Sequence, residues 1–322
     1  MAGLSLVELM VAMVLGLLLI LAAGNIFIAN KQTYRTVENL SRIQESLRFA
    51  FELMARDARM AGAIRCGYTD RVANVLNGTA GGLTWNESVR GYGTTDAITF
   101  PAVSACGSPA AAGCRVAGTE AIYFSNAAGD EVDAAITGHV PASAVMTLDN
   151  VDNIEDGDIL LVCRPNQAAI FQVTNVNDAA VKVVHNTGVA GITPGNATKC
   201  LNFPVDTSLA PSSCVDFTGG EVAKLSQQLW YIGNNGRGGN SLYRKAGSAT
   251  AEEIVPDVDD MELSFLTDTG TAYQDVASIT DWSKVRGVRI KLVSRSQDKV
   301  GTDSNEISRD YTFTVSLRNR LK

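Results

Sequence analysis

The sequence predicts an α+β protein in which one long N-terminal α-helix, transmembrane in its first half, packs on a β-rich antiparallel globular domain. Three observations predict it. An uninterrupted apolar run opens the chain, and a stripe of apolar residues at helical spacing continues from it. Past residue 62 the pattern changes from helical to alternating.

Residues 9–23 are apolar without a break, and Glu8 is the only charged side chain before Lys31. An apolar stretch of about 20 residues spans a bilayer as a helix. A cleaved secretory signal would carry a positive n-region and a shorter apolar core. Here no base precedes the run. A plain single-pass anchor explains the hydrophobicity but not Glu8. A carboxylate at that depth costs about 3 kcal/mol on insertion scales, so it marks a functional site by default.

Beyond the apolar run, Val37, Leu40, Gln44, Leu47, Phe51, Met54, Ala58 and Ala61 recur at heptad spacing. Arg35, Glu38, Arg42, Glu45, Arg48, Glu52, Arg56, Asp57 and Arg59 fall between them as a solvated face. The stripe is expected to pack on the β domain rather than to dimerise, and Gly62 is the expected stop. A helix from Leu4 to Ala61 would run about 85 Å. Its first half would have no support from its own domain.

Strand patterns then cover residues 159–163, 168–176, 181–186, 222–232, 241–244, 261–266, 288–294 and 311–317. In the last, Tyr311, Phe313, Val315 and Leu317 alternate with Thr312, Thr314 and Ser316. Residues 234–240 read as a hairpin loop. Residues 67–120 are rich in Gly, Ala, Thr and Asn and carry weaker strand signals.

The formal net charge is −7, which gives no basic footprint for nucleic acid. Six cysteines, Cys66, Cys106, Cys114, Cys163, Cys200 and Cys214, all follow the apolar run, and none forms a CxxC pair. They read as three disulfides formed in an oxidising compartment. Short loops favour Cys106–Cys114 and Cys200–Cys214, which would leave Cys66–Cys163. Many other connectivities are open, and buried free thiols are the competing reading.

Little points to catalysis. The sequence has no GxSxG, HExxH or GxxxxGK[ST] motif. Its two histidines, His139 and His185, lie far apart in sequence and read as ordinary residues. Asp149, Asp152, Glu155, Asp156 and Asp158 cluster without calcium-loop spacing and read as a solvated turn. The expectation is a non-enzymatic protein with no cofactor and no metal.

The segment Gly3-Leu4-Ser5-Leu6-Val7-Glu8-Leu9 resembles the processing site of the type IV pilin superfamily. The resemblance implies that a prepilin peptidase cuts after Gly3 and that Leu4 becomes a methylated N-terminus. Glu8 would then be the fifth mature residue, facing the N-terminal amine of a neighbouring subunit. Leu4 stands where the family usually has Phe, and Met1 and Ala2 carry no base where the family leader usually has one.

Further blocks resemble the PilW-type minor pilins. They are residues 155–163 with 168–174, residues 241–244, residues 253–261 and residues 314–321. The implied organisation is a leader at 1–3, a transmembrane half-helix at 4–30, an amphipathic half-helix at 31–62 and a β-rich periplasmic domain at 63–322. The implied partners are other minor pilins and the major pilin through the N-terminal helix, the prepilin peptidase and the inner membrane. The implied role is priming of pilus assembly in a small heteromeric complex, with a final place at the pilus tip. A type II secretion pseudopilin is the nearest alternative. A membrane-anchored adhesin or hydrolase is the alternative of another class.

Overall fold

The computed structural model describes residues 6–67, 69, 71–78, 85–129, 131–300 and 305–320. Helix α1, Leu6–Met60, runs about 80 Å at about 1.5 Å per residue. Leu and Ala are the commonest residues of its first half, and both are strong helix formers. Ion pairs at i,i+4 support its second half, with Glu38–Arg42 at 2.8 Å and Arg48–Glu52 at 3.2 Å. Gly62 follows with φ +75°, and its N–H donates to the carbonyl of Ser125 at 2.8 Å. The left-handed backbone that glycine tolerates turns the chain off the helix axis there.

The strands follow in chain order: β1 Val72–Asn74, β2 Val89–Tyr92, β3 Ala121–Asn126, β4 Ala134–Val140, β5 Val145–Leu148 and β6 Ile159–Arg164. Next come β7 Gln167–Gln172, β8 Asn175–Asn177, β9 Lys182–Val184, β10 Glu221–Lys224, β11 Ser226–Asn234 and β12 Asn240–Ala246. The last are β13 Glu252–Pro256, β14 Val258–Thr267, β15 Gln274–Asp275, β16 Val285–Arg295 and β17 Ser308–Ser316.

Among the described residues they form three sheets. An eight-stranded sheet has order β1-β7-β6-β10-β4-β5-β9-β8, a five-stranded sheet β13-β12-β11-β3-β2, and a four-stranded sheet β15-β14-β16-β17. Pairing is antiparallel apart from β1 with β7. The architecture is the expected one, a long apolar N-terminal helix on a β-rich antiparallel domain.

Two units emerge from the register. Strands β3 and β11 pair antiparallel, and Asn126 lies opposite Ser226. The whole stretch 127–225 therefore leaves and re-enters one pair of neighbouring strands. It builds most of the eight-stranded sheet around its own core, which includes Ile136, Met146, Leu160, Phe171 and Phe217. The remaining body holds a second core, in which Met54 and Ala58 of α1 meet Trp230, Phe265, Ile290 and Phe313. The body's sheets approach closely at Gly91. A Cβ there would lie 2.8 Å from the Phe265 ring and 2.9 Å from the Trp282 ring.

Three details differ from the sequence reading. The buried face of α1 is Asn39, Ile43, Leu47, Ala50, Met54, Ala55, Asp57 and Ala58. Val37 and Gln44 are exposed, because the helix turns its 39-43-47 row to the sheets. The run 168–176 breaks into β7 and β8, since Val173 turns back to bond Gly157 and Asp158. The run 222–232 breaks at Leu225, where the chain leaves the eight-stranded sheet as β10 and enters the five-stranded sheet as β11.

Candidate assembly helix and its anchorage

The helix divides by what touches it. Its apolar first half is bare of protein, with Leu6, Leu19 and Phe27 exposed by 77, 72 and 70%. It is long and apolar enough to cross a membrane. Glu8 lies exposed near its start, on the same apolar segment. Gly3 and Leu4 lie outside the described residues.

The β domain first grips α1 about 45 Å further on, at about 1.5 Å per residue. There Arg35 pairs with Asp298 at 3.4 Å, and Thr36 Oγ1 donates to the carbonyl of Val300 at 3.1 Å. Asn39 Nδ2 donates to Asp298 Oδ2 at 3.4 Å. Apolar packing follows, and Phe51 meets Phe313 edge-on with centroids 4.7 Å apart.

The last turns are pinned by polar groups. Asp57 Oδ2 accepts the Trp230 Nε1–H at 2.8 Å, and the Arg244 guanidinium pairs with it at 3.4 Å while lying over the Trp230 ring. Burial pushes the Asp57 carboxyl up. Arg244, the Trp230 N–H and Arg56 pull it back toward the charged form. Asp57 thus belongs to the buried face, not to the solvated face that its charge suggests. Its position three residues after Met54 and four before Ala61 is the available signal.

Asn319 Nδ2 donates to the carbonyl of Arg59 at 2.9 Å, which closes the C-terminus of α1. Beside it the buried Arg320 donates to Ser88 Oγ at 3.1 Å and to the carbonyl of Trp282 at 2.8 Å. Both lie in the 314–321 block singled out by resemblance, but their contacts are not legible there, because they act across separations of more than 200 residues.

The cysteines pair as Cys66–Cys163, Cys106–Cys114 and Cys200–Cys214, with Cα–Cα distances of 5.8, 4.9 and 4.8 Å. The first ties the segment after α1 to β6, so it joins the body to the 127–225 unit. The acidic cluster holds turns. Asp149 accepts from the Ala135 N–H, Asp156 from the Val176 N–H and Asp158 from the Glu155 N–H, and Asp158 also pairs with Lys224 at 2.8 Å.

The two histidines are not isolated. His139 Nε2 and His185 Nε2 lie 3.2 Å apart in a buried contact, because β4 and the end of β9 flank β5 in the eight-stranded sheet.

Residues 229–316 match the family model described as Type IV Pilus-assembly protein W. The match runs from Leu229 in β11 to Ser316 at the end of β17, and it includes Trp230 and Arg244. It supports a PilW-type protein related to type IV pilus assembly. No curated protein and no solved structure matches the chain.

Proposed function

We propose that this chain is a minor pilin that joins a heteromeric complex priming type IV pilus assembly and stays at the pilus tip. One observation carries the reading. The apolar half of α1, with its large hydrophobic side chains exposed, bears a single carboxylate, Glu8, and is attached to a domain whose C-terminal strands match a pilus assembly family.

The physical logic runs from solvent to partner. An exposed apolar half-helix needs either lipid or other apolar helices around it. The same surface satisfies both, so the subunit can wait in the inner membrane and then enter a bundle of sister helices. In this reading the globular domain lies on the periplasmic side. Prepilin peptidase cuts after Gly3, and Leu4 becomes the methylated N-terminus. Glu8 then finds the amine of a neighbouring subunit, which relieves the cost of about 3 kcal/mol for a carboxylate in hydrocarbon.

The test uses the full chain. Mass spectrometry of the membrane-extracted protein is expected to show a methylated Leu4 at the N-terminus. Glu8→Ala is expected to abolish co-purification with the other minor pilins and to strip pili from cells, with membrane insertion unchanged. An intact Met1 together with normal piliation in the Glu8→Ala strain would refute the reading.

A further inference from the structure

The two buried histidines are unused by any assembly role, and their hydrogen bonds fix their protons. The Phe217 N–H donates to His139 Nδ1 at 3.1 Å. That nitrogen is therefore the acceptor of a neutral ring, and the proton sits on Nε2. Nε2–H then donates to His185 Nε2 at 3.2 Å. His185 must carry its own proton on Nδ1, which is buried and has no hydrogen-bond partner.

Both lone pairs of the two rings are thus occupied. An added proton on His139 Nδ1 would oppose the Phe217 N–H. An added proton on His185 Nε2 would oppose the His139 N–H. Either turns a hydrogen bond into a donor–donor contact, sealed from water with both side chains buried.

The segment 216–220 is what this bond holds. The His139 N–H donates to Thr218 Oγ1 at 3.0 Å, and Gly219 and Gly220 exchange backbone bonds with Ile136 at 2.8 Å. We propose that the His139–His185 pair is an acid-operated latch, which holds segment 216–220 against β4 while both rings are neutral and releases it when His139 takes a proton.

The surroundings choose His139. Asp216 Oδ1 lies 3.8 Å from His139 Nδ1, on the exposed turn that also carries Phe217, and is the carboxylate that a protonated ring would reach. Arg164 on β6 donates to the carbonyl of Asp216. Lys199, before Cys200, opposes positive charge on His185. On the other sides the pair meets Phe171 of β7, with centroids 5.0 Å from His185, and the carbonyl of Ala144, which accepts the His185 N–H at 2.9 Å.

Burial lowers His139 from 6.5 to about 4, with Asp216 opposing, and lowers His185 to about 3. A depressed folded-state pKa gives stability that is complete above 6.5 and is lost as pH falls toward about 4. For His139 alone, linkage makes the opening constant of the segment rise roughly 25-fold between about pH 7.5 and about pH 5.

Hydrogen–deuterium exchange on the full chain in detergent micelles, corrected for the intrinsic rate at each pH, reads this directly. Amides of residues 217–220 are expected to show that rise, with β16 amides as a steady internal reference. In the double variant His139→Asn, His185→Phe, the introduced amide oxygen still accepts the Phe217 N–H, and the pH response is expected to vanish. No excess exchange in the wild type, or the same excess in the double variant, overturns the proposal. Should the double variant lose protection at neutral pH, the imidazole C–H shifts of the wild type decide. Joint titration below about pH 5 that tracks the exchange supports the latch, whereas titration of either ring near about 6.5 without exchange overturns it.

Discussion

The helix-bearing body and the 127–225 unit are held by different physics. In the body, β14 has 10 residues and β16 has 11, and they pair along nearly their full length. Their apolar faces close on α1, so burial of Leu, Val, Ile and aromatic side chains is the main term. In the 127–225 unit, β8, β9 and β10 have 3, 3 and 4 residues. Side chains there complete what short strands leave open. Asn196 Nδ2 donates to the carbonyls of Gln172 and Asn186, and its Oδ1 accepts the Gln172 N–H at 2.8 Å. Gln172 in turn donates to Gly157 and Thr193 and accepts from the Gly195 N–H. The lesson is that long ladders can stand on apolar burial, whereas strands of three or four residues need individual side chains to finish their hydrogen bonding. The match at 229–316 stays wholly within the body.

The comparison predicts that the two units respond separately. The sharpest way to break it is the bridge between them. Cys66–Cys163 closes a loop of sequence separation 97. Closing that whole loop is worth about 4.7 kcal/mol, but with β2 and β3 still folded in the body a shorter loop is freed, and the bridge contributes about 4 kcal/mol to the 127–225 unit. The double variant Cys66→Ser, Cys163→Ser is expected to lower the denaturant midpoint of the 127–225 unit and to leave that of the body in place. Site-specific hydrogen exchange on β6 and β16 separates the two. Equal loss in both strands would show one cooperative unit instead of two.

Asn196→Ala tests the network inside the 127–225 unit. It leaves the Gln172 N–H and two carbonyls without partners in a buried site, where Asn196 is 2% exposed. The expected loss is about 3 kcal/mol, confined to the 127–225 unit. In the body the corresponding test is Asp57→Ala, which strands the Trp230 N–H and the Arg244 guanidinium. Arg244 is partly exposed and can turn to water, so the expected loss is about 2 kcal/mol, less than for a sealed ion pair. Asp57→Asn keeps an acceptor for Trp230 and is expected to recover about half of it. Protease sensitivity of the 50–60 stretch of α1 reports both variants.

The same contrast explains what is legible in the sequence. The alternation of Phe313, Val315 and Leu317 marks a half-buried strand, and β17 is that strand. β3 leaves no such mark, although all six of its residues are buried. It is an inner strand of its sheet, with Ile122 and Phe124 facing the helix-side core and Ala121 and Tyr123 facing the other. A strand covered on both sides shows no alternation, and its Gly- and Ala-rich surroundings give no contrast. The α1 stripe is legible as a stripe, but its face is not. Asn39 and Asp57 are polar and become core residues only through Asp298 and Trp230, each more than 170 residues away. The histidine pair has no local signal at all, since 46 residues separate its members and only the sheet order brings them together.

The smallest expected effect lies where the body's two ends meet. Asn319 Nδ2 donates to the Arg59 carbonyl at 2.9 Å, one of the last four carbonyls of α1, which have no partner within the helix. In Asn319→Ala that carbonyl turns to solvent, because the bond lies at the surface, with Arg59 exposed and Asn319 half-buried. Water replaces most of the lost bond, so the cost is about 0.5–1 kcal/mol. Gly62 still donates to Ser125, which holds the turn after the helix. Amide exchange is therefore expected to rise only in residues 58–62, with the β14, β16 and β17 ladder unchanged. Increased exchange across the ladder would mean that the chain's last turn holds the four-stranded sheet as well as the helix end, and that the body's stability is shared with its C-terminus.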